Sequence, residues 1–154
     1  MRKFGGNQRG GGVLSEEALR RIGDIDREQI ERRVKRVFEC WTRGDIDSLI
    51  EYFAPDATFP ANGFWTGVKA PLIGRDQVAE HLRKYANMLE NIVSVLHEFI
   101  IDGDRAVVHR TAVGRRRDTG RRYQCDFIDF FRFRDGLIVE FSCYPDAAWI
   151  EVDP

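Results

Sequence analysis

Asp129 lies among aromatic residues in a strand-like segment. Residues 123–133 read YQCDFIDFFRF, and successive side chains of a strand point to opposite faces. An ionised carboxylate is costly to bury without a partner. Asp129 is therefore solvated, paired or protonated, and the last two states suit it for acid–base chemistry. The residues that share its face are Tyr123, Cys125, Phe127, Asp129, Phe131 and Phe133.

The preceding strand offers two partners for Asp129. A loop at residues 118–120 (DTG) places either Arg110 or His109 opposite the acid, and periodicity alone does not decide between them. A close Arg110 would keep Asp129 ionised, as a base or as an anchor for a ligand. A distant Arg110 would leave burial to favour the neutral acid, which donates a hydrogen bond.

The elements that must position these residues follow a simple order. Residues 14–23 suggest a short helix, and a firmer helix begins near Asp26 and ends at Gly44, a residue typical of helix C-termini. Asp45 caps a second helix that carries Phe53 and that Pro55 ends. A short strand over residues 56–61, a loop over 62–74 and a third helix over 75–90 follow.

Four strands are predicted after the helices, over residues 92–101, 105–116, 122–133 and 137–144. A glycine-containing turn separates each from the next, which indicates hairpins. Helices followed by an antiparallel meander favour an α+β fold with the helices on one face of the sheet. We expect a single domain over residues 15–154, preceded by a flexible glycine-rich tail over residues 1–14.

The last hairpin indicates which face Asp129 occupies. A three-residue loop (RDG, residues 134–136) pairs Asp129 with Phe141 and surrounds the acid with apolar residues. A one-residue slip would bring polar residues there instead. A face covered by helices needs the apolar composition, so we expect the first register. Its pairs are Phe133 with Leu137, Phe131 with Val139, Asp129 with Phe141, and Phe127 with Cys143.

Composition excludes several classes of function. The 154-residue chain has a net charge of −1 and no apolar run long enough to span a membrane. Residues 1–14 have no apolar stretch of a secretory signal. The basic segment 114–122 (GRRRDTGRR) is a hairpin tip without interleaved aromatics, so we expect no nucleic-acid partner. Three cysteines without metal-ligand spacing suit a reduced, cytoplasmic protein.

Three segments together carry a resemblance to a known family. They are WTRGDIDSLIEYFAPDATF, LIGRDQVAEHL and FRFRDGLIVEFSCYPD. The chain resembles the nuclear transport factor 2-like superfamily over about residues 27–150, and within it the branch of SnoaL-like polyketide cyclases and ketosteroid isomerase-related proteins. The resemblance implies a cone-shaped roll, in which a curved, antiparallel or mixed sheet and three helices from the N-terminal half enclose an apolar pocket. It also implies homodimers through the outer face of the sheet.

Catalytic residues carry over from this superfamily only in part. The segment CDFIDFFRF resembles the ketosteroid isomerase segment that holds the acid of the pocket. That acid falls on Asp129, and in ketosteroid isomerase it stays protonated. The isomerase base falls on Ala61 and its oxyanion tyrosine on Val37, so a steroid isomerase of that type is not expected. Among limonene epoxide hydrolases, the pocket arginine falls on Arg110, which implies that Arg110 points inward and pairs with Asp129 at the pocket floor.

The rest of the epoxide hydrolase apparatus is missing. Its two aspartates fall on Ala112 and Cys143, and its water-positioning tyrosine and asparagine fall on Phe59 and Ala61. Epoxide hydrolysis by that apparatus is therefore not expected. We expect apolar pocket walls instead, with Phe64 and Trp65 as covering residues. The expected substrate-binding residues are Trp41, Phe59, Trp65, Phe127, Phe131, Phe141 and Cys143.

The sequence therefore predicts a cofactor-independent enzyme without a metal, acting on an apolar, carbonyl-bearing small molecule. Asp129 would be the acid or base and Arg110 the polarising group or anchor, in an isomerase, cyclase or dehydratase (lyase) type of reaction. A structural Asp129–Arg110 ion pair in a ligand-binding or dimeric scaffold protein is the alternative. Of the histidines, His109 is expected to face outward, His81 to lie on the surface or pocket rim, and His97 to have no partner.

Overall fold

The computed structural model of the protein describes residues 15–60, 69–146 and 150–152. The predicted tail over residues 1–14 and the covering residues Phe64 and Trp65 lie outside this part. The helices are α1 (Glu16–Arg43), α2 (Ile46–Ile50) and α3 (Arg75–Met88). The strands are β1 (Phe53–Phe59), β2 (Leu72–Ile73), β3 (Leu89–Asp102), β4 (Arg105–Arg116), β5 (Arg122–Arg134), β6 (Leu137–Pro145) and β7 (Ile150–Val152).

The first helix is longer than the sequence predicts. One continuous helix of 28 residues replaces the short helix and the second start at Asp26. Asp26 is of a residue type that often caps helices, which is why the prediction was wrong. In the structure it lies inside the helix, which continues past it. Ile30, Val34 and Val37 recur at helical spacing, form an apolar stripe and are all buried.

The end of α1 and the start of α2 agree with the sequence. Gly44 has φ +70°, and its N–H donates to Trp41 O, while the N–H of Asp45 reaches back to Cys40 O. This pair of bonds is the Schellman arrangement, which needs a left-handed residue at the position of Gly44. The Asp45 carboxylate accepts a hydrogen bond from the N–H of Ser48 and so caps α2.

The first strand begins earlier than predicted. Phe53 and Pro55 belong to β1 rather than to the end of α2. A proline inside a strand lacks the N–H that a ladder needs. The parallel pairing of β1 with β6 is irregular between Phe53 and Thr58, and Pro55 lies within that interval. The irregularity therefore accommodates Pro55, which the sequence predicts to end α2.

The seven strands found among the described residues form one sheet in the order β2-β1-β6-β5-β4-β3, with β7 pairing the start of β5. The strand β1 runs parallel to β6 and the other pairs are antiparallel, so the sheet is mixed. The fold is the predicted α+β roll, in which the helices cover the concave face of a curved sheet. Among the described residues, no helix is long and apolar enough to cross a membrane.

The hairpin between β5 and β6 differs from its predicted register. Arg134 pairs with Leu137, so Asp135 and Gly136 form a two-residue loop, and both have positive φ. Positive φ at both residues is typical of the tight turn that suits the twist of a hairpin. A register shift between Arg132 and Phe133 follows. These two features correct the predicted pairs.

Asp129 consequently pairs with Cys143 rather than Phe141, and Phe131 pairs with Phe141 rather than Val139. The change at Asp129 is two residues, which preserves the face of every side chain beyond the shift. The apolar inner face expected around Asp129 therefore persists, although its individual pairs differ. Between the turn and the shift, Phe133 pairs with Ile138 rather than with Leu137, and Ile138 has no exposed surface.

Candidate functional site

A buried ion pair links two neighbouring strands on the inner face of the sheet. The Nε of Arg110 on β4 donates to Oδ2 of Asp129 on β5 over 2.5 Å. Arg110 is 4% exposed and Asp129 is 0% exposed. Burial opposes the charge of Arg110, but the Asp129 carboxylate outweighs it and the pKa of Arg110 is raised. The pair is therefore ionic, with a permanently charged guanidinium.

The pair is diagonal across the two strands. The register places Val108 opposite Asp129 and Phe127 opposite Arg110. The expectation that Arg110 or His109 stands directly opposite the acid was wrong. Val108, Arg110 and Asp129 nevertheless share the buried face, because Arg110 lies two positions along from Val108. A long arginine side chain bridges such a diagonal separation.

Two aromatic rings hold the guanidinium in place. Its Cζ lies 4.1 Å from the ring centroid of Phe127 and 4.8 Å from that of Phe38 on α1. Both distances suit cation–π attraction, which is stronger when the cation is desolvated. The arginine is thus fixed by one carboxylate and two rings, which come from β5 and α1.

The ion pair leaves polar atoms unused. Among the described residues, neither Arg110 Nη1 nor Asp129 Oδ1 has a hydrogen-bond partner, although both are buried. An unsatisfied buried polar atom costs about 1–3 kcal/mol. Such atoms occur where a ligand or water completes the network.

Cys143 is the neighbour of Asp129 on β6. Burial raises the pKa of its thiol well above the ordinary value, and the Asp129 carboxylate adds to that rise. A thiol with a raised pKa remains protonated and is a poor nucleophile. Cys143 is therefore a neutral thiol in the cavity wall, within hydrogen-bonding reach of the Asp129 carboxylate.

A cavity of about 120 Å³ opens above the ion pair. The helices α1, α2 and α3 supply one side of it, and β1 and β3–β6 supply the other. Its walls are mostly apolar, and Arg110 is the charged residue among those that line it. A volume of this size holds several water molecules or part of a small ligand. The arrangement of apolar walls around few polar groups is typical of a small-molecule site.

The expected site residues divide into three groups. Those that line the cavity are Trp41, Phe59, Arg110, Phe127, Phe141 and Cys143. Asp129 and Phe131 have no exposed surface and lie outside the lining, where Asp129 holds Arg110 and Phe131 packs against Phe38 and Phe141. Trp65 lies outside the described residues.

The cavity also contains two polar residues of α3 that were not among the expected site residues. His81 and Tyr85 both line it, with ring centroids 5.0 Å apart, and His81 lies 5.3 Å from the ring of Phe59. Burial lowers the pKa of His81, and Lys84 lowers it further. His81 is therefore neutral at neutral pH and able to accept a proton. The spacing Val78, His81, Leu82, Tyr85 is that of one helical face and carried this signal.

Tyr123 and Asn91 form a second polar group at the cavity wall. The hydroxyl of Tyr123 donates to Asn91 Oδ1 over 2.6 Å, and burial raises the pKa of Tyr123 to about 12. Gly114 is the cross-strand partner of Tyr123. A Cβ at position 114 would lie 2.5 Å from the tyrosine hydroxyl oxygen and closer still to the backbone oxygen of Glu90. The glycine therefore makes room for the tyrosine ring, as a glycine inside a strand often does.

The family comparison agrees with this architecture. The profile of the SnoaL-like domain family matches residues 34–141. This match spans α1 to β6 and includes both members of the ion pair. No curated protein matches the sequence significantly.

Solved structures of the nuclear transport factor 2-like fold superpose on the chain. A proposed isomerase of Bacillus subtilis has a TM-score of 0.70 at 17% identity, over 77% of this chain and 87% of that one. An LEH-like epoxide hydrolase of M. tuberculosis has a TM-score of 0.64 at 20% identity, over 77% of this chain and 84% of that one. IdmH, a proposed polyketide cyclase of Streptomyces antibioticus, has a TM-score of 0.64 at 22% identity, over 77% and 92%. At these identities the similarity establishes the fold.

Proposed function

Because the chain belongs to the SnoaL-like domain family, we propose that its cavity is an active site for cofactor-independent acid–base chemistry on an apolar, carbonyl-bearing small molecule. The reaction is of the isomerase, cyclase or dehydratase type. The observation that carries this proposal is a buried guanidinium, lining a mostly apolar cavity, with one nitrogen that has no hydrogen-bond partner among the described residues.

Arg110 is the group that receives the carbonyl oxygen. Its free N–H groups donate to that oxygen, and its charge stabilises the enolate that forms when the adjacent carbon loses a proton. The mostly apolar walls keep the local dielectric constant low, which strengthens this interaction. Phe38 and Phe127 fix the guanidinium plane, so little reorganisation is needed when the charge develops.

His81 is the group that moves the proton. It lines the same cavity, and its lowered pKa keeps the imidazole neutral, as a general base requires. It takes the proton from the carbon next to the carbonyl and returns it to another atom of the same substrate. Asp129 acts through Arg110, because it has no exposed surface. The sequence expectation of Asp129 as the acid or base thus becomes a positioning role in this proposal.

A binding protein without turnover is the second candidate. The observation that favours it is the direct Arg110–Asp129 contact, in which the carboxylate beside Arg110 is already engaged. In that case Arg110 anchors a ligand oxygen and His81 only packs against Phe59 and Tyr85.

The proposal extends to the assembly and its compartment. Exposed apolar residues on the outer face of the sheet, among them Val95 and Ile128, suit a homodimer through that face. Three free cysteines suit the reducing cytoplasm.

Proton exchange at carbon tests the enzyme proposal. With 2-tetralone as the probe in deuterated water, we expect the protein to accelerate deuterium incorporation beside the carbonyl, as measured by NMR. His81→Gln should reduce this rate by about 10²–10⁴-fold, and Arg110→Lys should reduce it as well. The matched control is His97→Gln, on the other face of the sheet, which should leave the rate unchanged.

The pH dependence supplies the second readout. Because the pKa of His81 lies below its ordinary value of 6.5, the wild-type rate should hold at neutral pH and fall only in acid, as the imidazole is protonated. Binding of 2-tetralone without exchange would favour the binding protein. Equal rates for His81→Gln and the wild type would contradict the role of His81.

A further inference from the structure

Three potential metal ligands converge on the outer face of the sheet, opposite the cavity. His97 comes from β3, His109 from β4 and Asp126 from β5, and one ligand atom of each lies within 4.8 Å of the others. His109 is adjacent to Arg110 along β4, so the two side chains point to opposite faces. The sequence separations of 12 and 17 residues correspond to no familiar ligand spacing, and only strand pairing brings the three together.

A β-bulge places His97 in this cluster. In the ladder between β3 and β4, Leu96 pairs with Arg110 and Glu98 pairs with His109, which leaves His97 as the extra residue. Bulges re-aim side chains and are frequent beside functional sites. His97 and His109 have ring centroids 4.9 Å apart.

Thr111 links the cluster in the absence of a ligand. Its hydroxyl donates to Asp126 Oδ1 over 2.5 Å and lies 2.7 Å from His97 Nε2. A threonine hydroxyl has one hydrogen, so a hydroxyl that donates to Asp126 must accept from the N–H of His97. The carboxylate is thereby held beside both imidazoles.

We propose that His97, His109 and Asp126 bind a divalent transition-metal ion such as Zn²⁺. Two imidazoles and one carboxylate suit zinc and its neighbours, whereas Mg²⁺ and Ca²⁺ prefer oxygen ligands. Tetrahedral zinc needs ligand atoms about 3.3 Å apart. His97 and Asp126 are exposed, so rotation of their side chains closes the remaining distance. The ion ties β3, β4 and β5 together and keeps a fourth position for water.

Metal titration of the untagged full-length chain tests this site. We expect one Zn²⁺ per chain by calorimetry, one Co²⁺ per chain with the absorption of a low-coordinate nitrogen–oxygen site, and no comparable binding of Mg²⁺. His97→Gln, His109→Gln and Asp126→Asn should each weaken zinc binding by more than about 100-fold, since even residues that only support a metal ligand typically contribute 10–100-fold.

Two control variants distinguish a metal site from a cluster of side chains that are only hydrogen-bonded to one another. His81→Gln removes the third histidine of the chain, on the cavity side, and should leave zinc binding unchanged. Thr111→Val removes the linking hydroxyl but keeps all three ligands, so zinc binding should weaken only by the roughly 10–100-fold typical of a supporting residue, less than in the ligand variants.

Two results would overturn the proposal. The first is zinc binding by the wild type no tighter than that of the His97→Gln/His109→Gln double variant. The second is a stoichiometry of half an ion per chain, which would exclude a three-ligand site complete within one chain.

Discussion

At the scale of single residues, the Arg110–Asp129 pair is a conspicuous departure from an apolar core. Removing two charges from water costs several kcal/mol per ion, and their attraction often does no more than offset that cost. Here two polar atoms of the pair also lack hydrogen bonds among the described residues. A pair that contributes little to net stability, and whose arginine lines a cavity, is better explained by a ligand than by folding.

A double-mutant cycle measures how strongly the pair is coupled. We expect Arg110→Met and Asp129→Leu each to lower the free energy of unfolding by about 3–5 kcal/mol, because each leaves one buried charge without its partner. The double variant should lose far less than the sum, since it leaves no buried charge. Urea unfolding of all four proteins, at equal slope, gives the coupling.

Additive losses in that cycle would contradict the inference. They would mean that the two charges do not depend on each other, so that solvent or another group compensates each of them separately.

At the scale of the elements, local departures from regular strands decide where the polar side chains lie. One register shift separates Arg132 from Phe133 and moves the pairs beside Asp129. Another extrudes His97 from the ladder of β3. Gly114 allows Tyr123 to lie across β4 and reach Asn91 on β3. Each is a backbone feature with a consequence for one face of the sheet.

Substitution of the strand glycine tests the last of these. Gly114→Ala should lower the free energy of unfolding by about 1–3 kcal/mol, because overpacking shifts Tyr123 and the backbone of β3. The near-ultraviolet circular dichroism of the aromatic residues should change with it. Gly120→Ala is the comparison, since its Cβ would meet nothing within 4 Å and only its left-handed backbone is strained.

Unchanged stability and an unchanged tyrosine signal in Gly114→Ala would contradict the close approach of Tyr123. An effect in Gly120→Ala alone would assign the cost to backbone conformation rather than to packing.

At the scale of the molecule, the two faces of one sheet have different chemistry. The inner face encloses the cavity, while the outer face exposes large apolar residues that are between 41% and 64% exposed. They are Val93, Val95, Ile100, Ile128 and Tyr144. Apolar residues gathered on one face are typical of an interaction surface, which supports the proposed homodimer.

Charge introduced on that face should dissociate the dimer. We expect the wild type to have the mass of two chains by light scattering, and Val95→Lys and Ile128→Lys to have the mass of one, because a lysine buried at the centre of an interface is desolvated without a partner. Ile73→Lys is the matched control, since Ile73 is 65% exposed on β2 at the other end of the sheet. A monomeric wild type would contradict the homodimer.

Local sequence patterns are enough to predict which side chains share a face. Asp129 with its aromatic neighbours, the stripe of α1 and the capping residues Gly44 and Asp45 could all be predicted, because side-chain alternation, helical period and capping are properties of a few adjacent residues. The face of Arg110 came from the family resemblance rather than from periodicity. The α+β class followed from the order of the elements.

Which residues contact one another can be known only from the folded chain. The continuity of α1 through Asp26, the pairing of Asp129 with Cys143, and the approach of His97 and His109 to Asp126 all depend on contacts between distant segments. Strand register depends on turn type and bulges, and these are selected by the packing of the whole sheet rather than by local preference. A period of two fixes the face of a side chain, but only the pairing of strands fixes its neighbours.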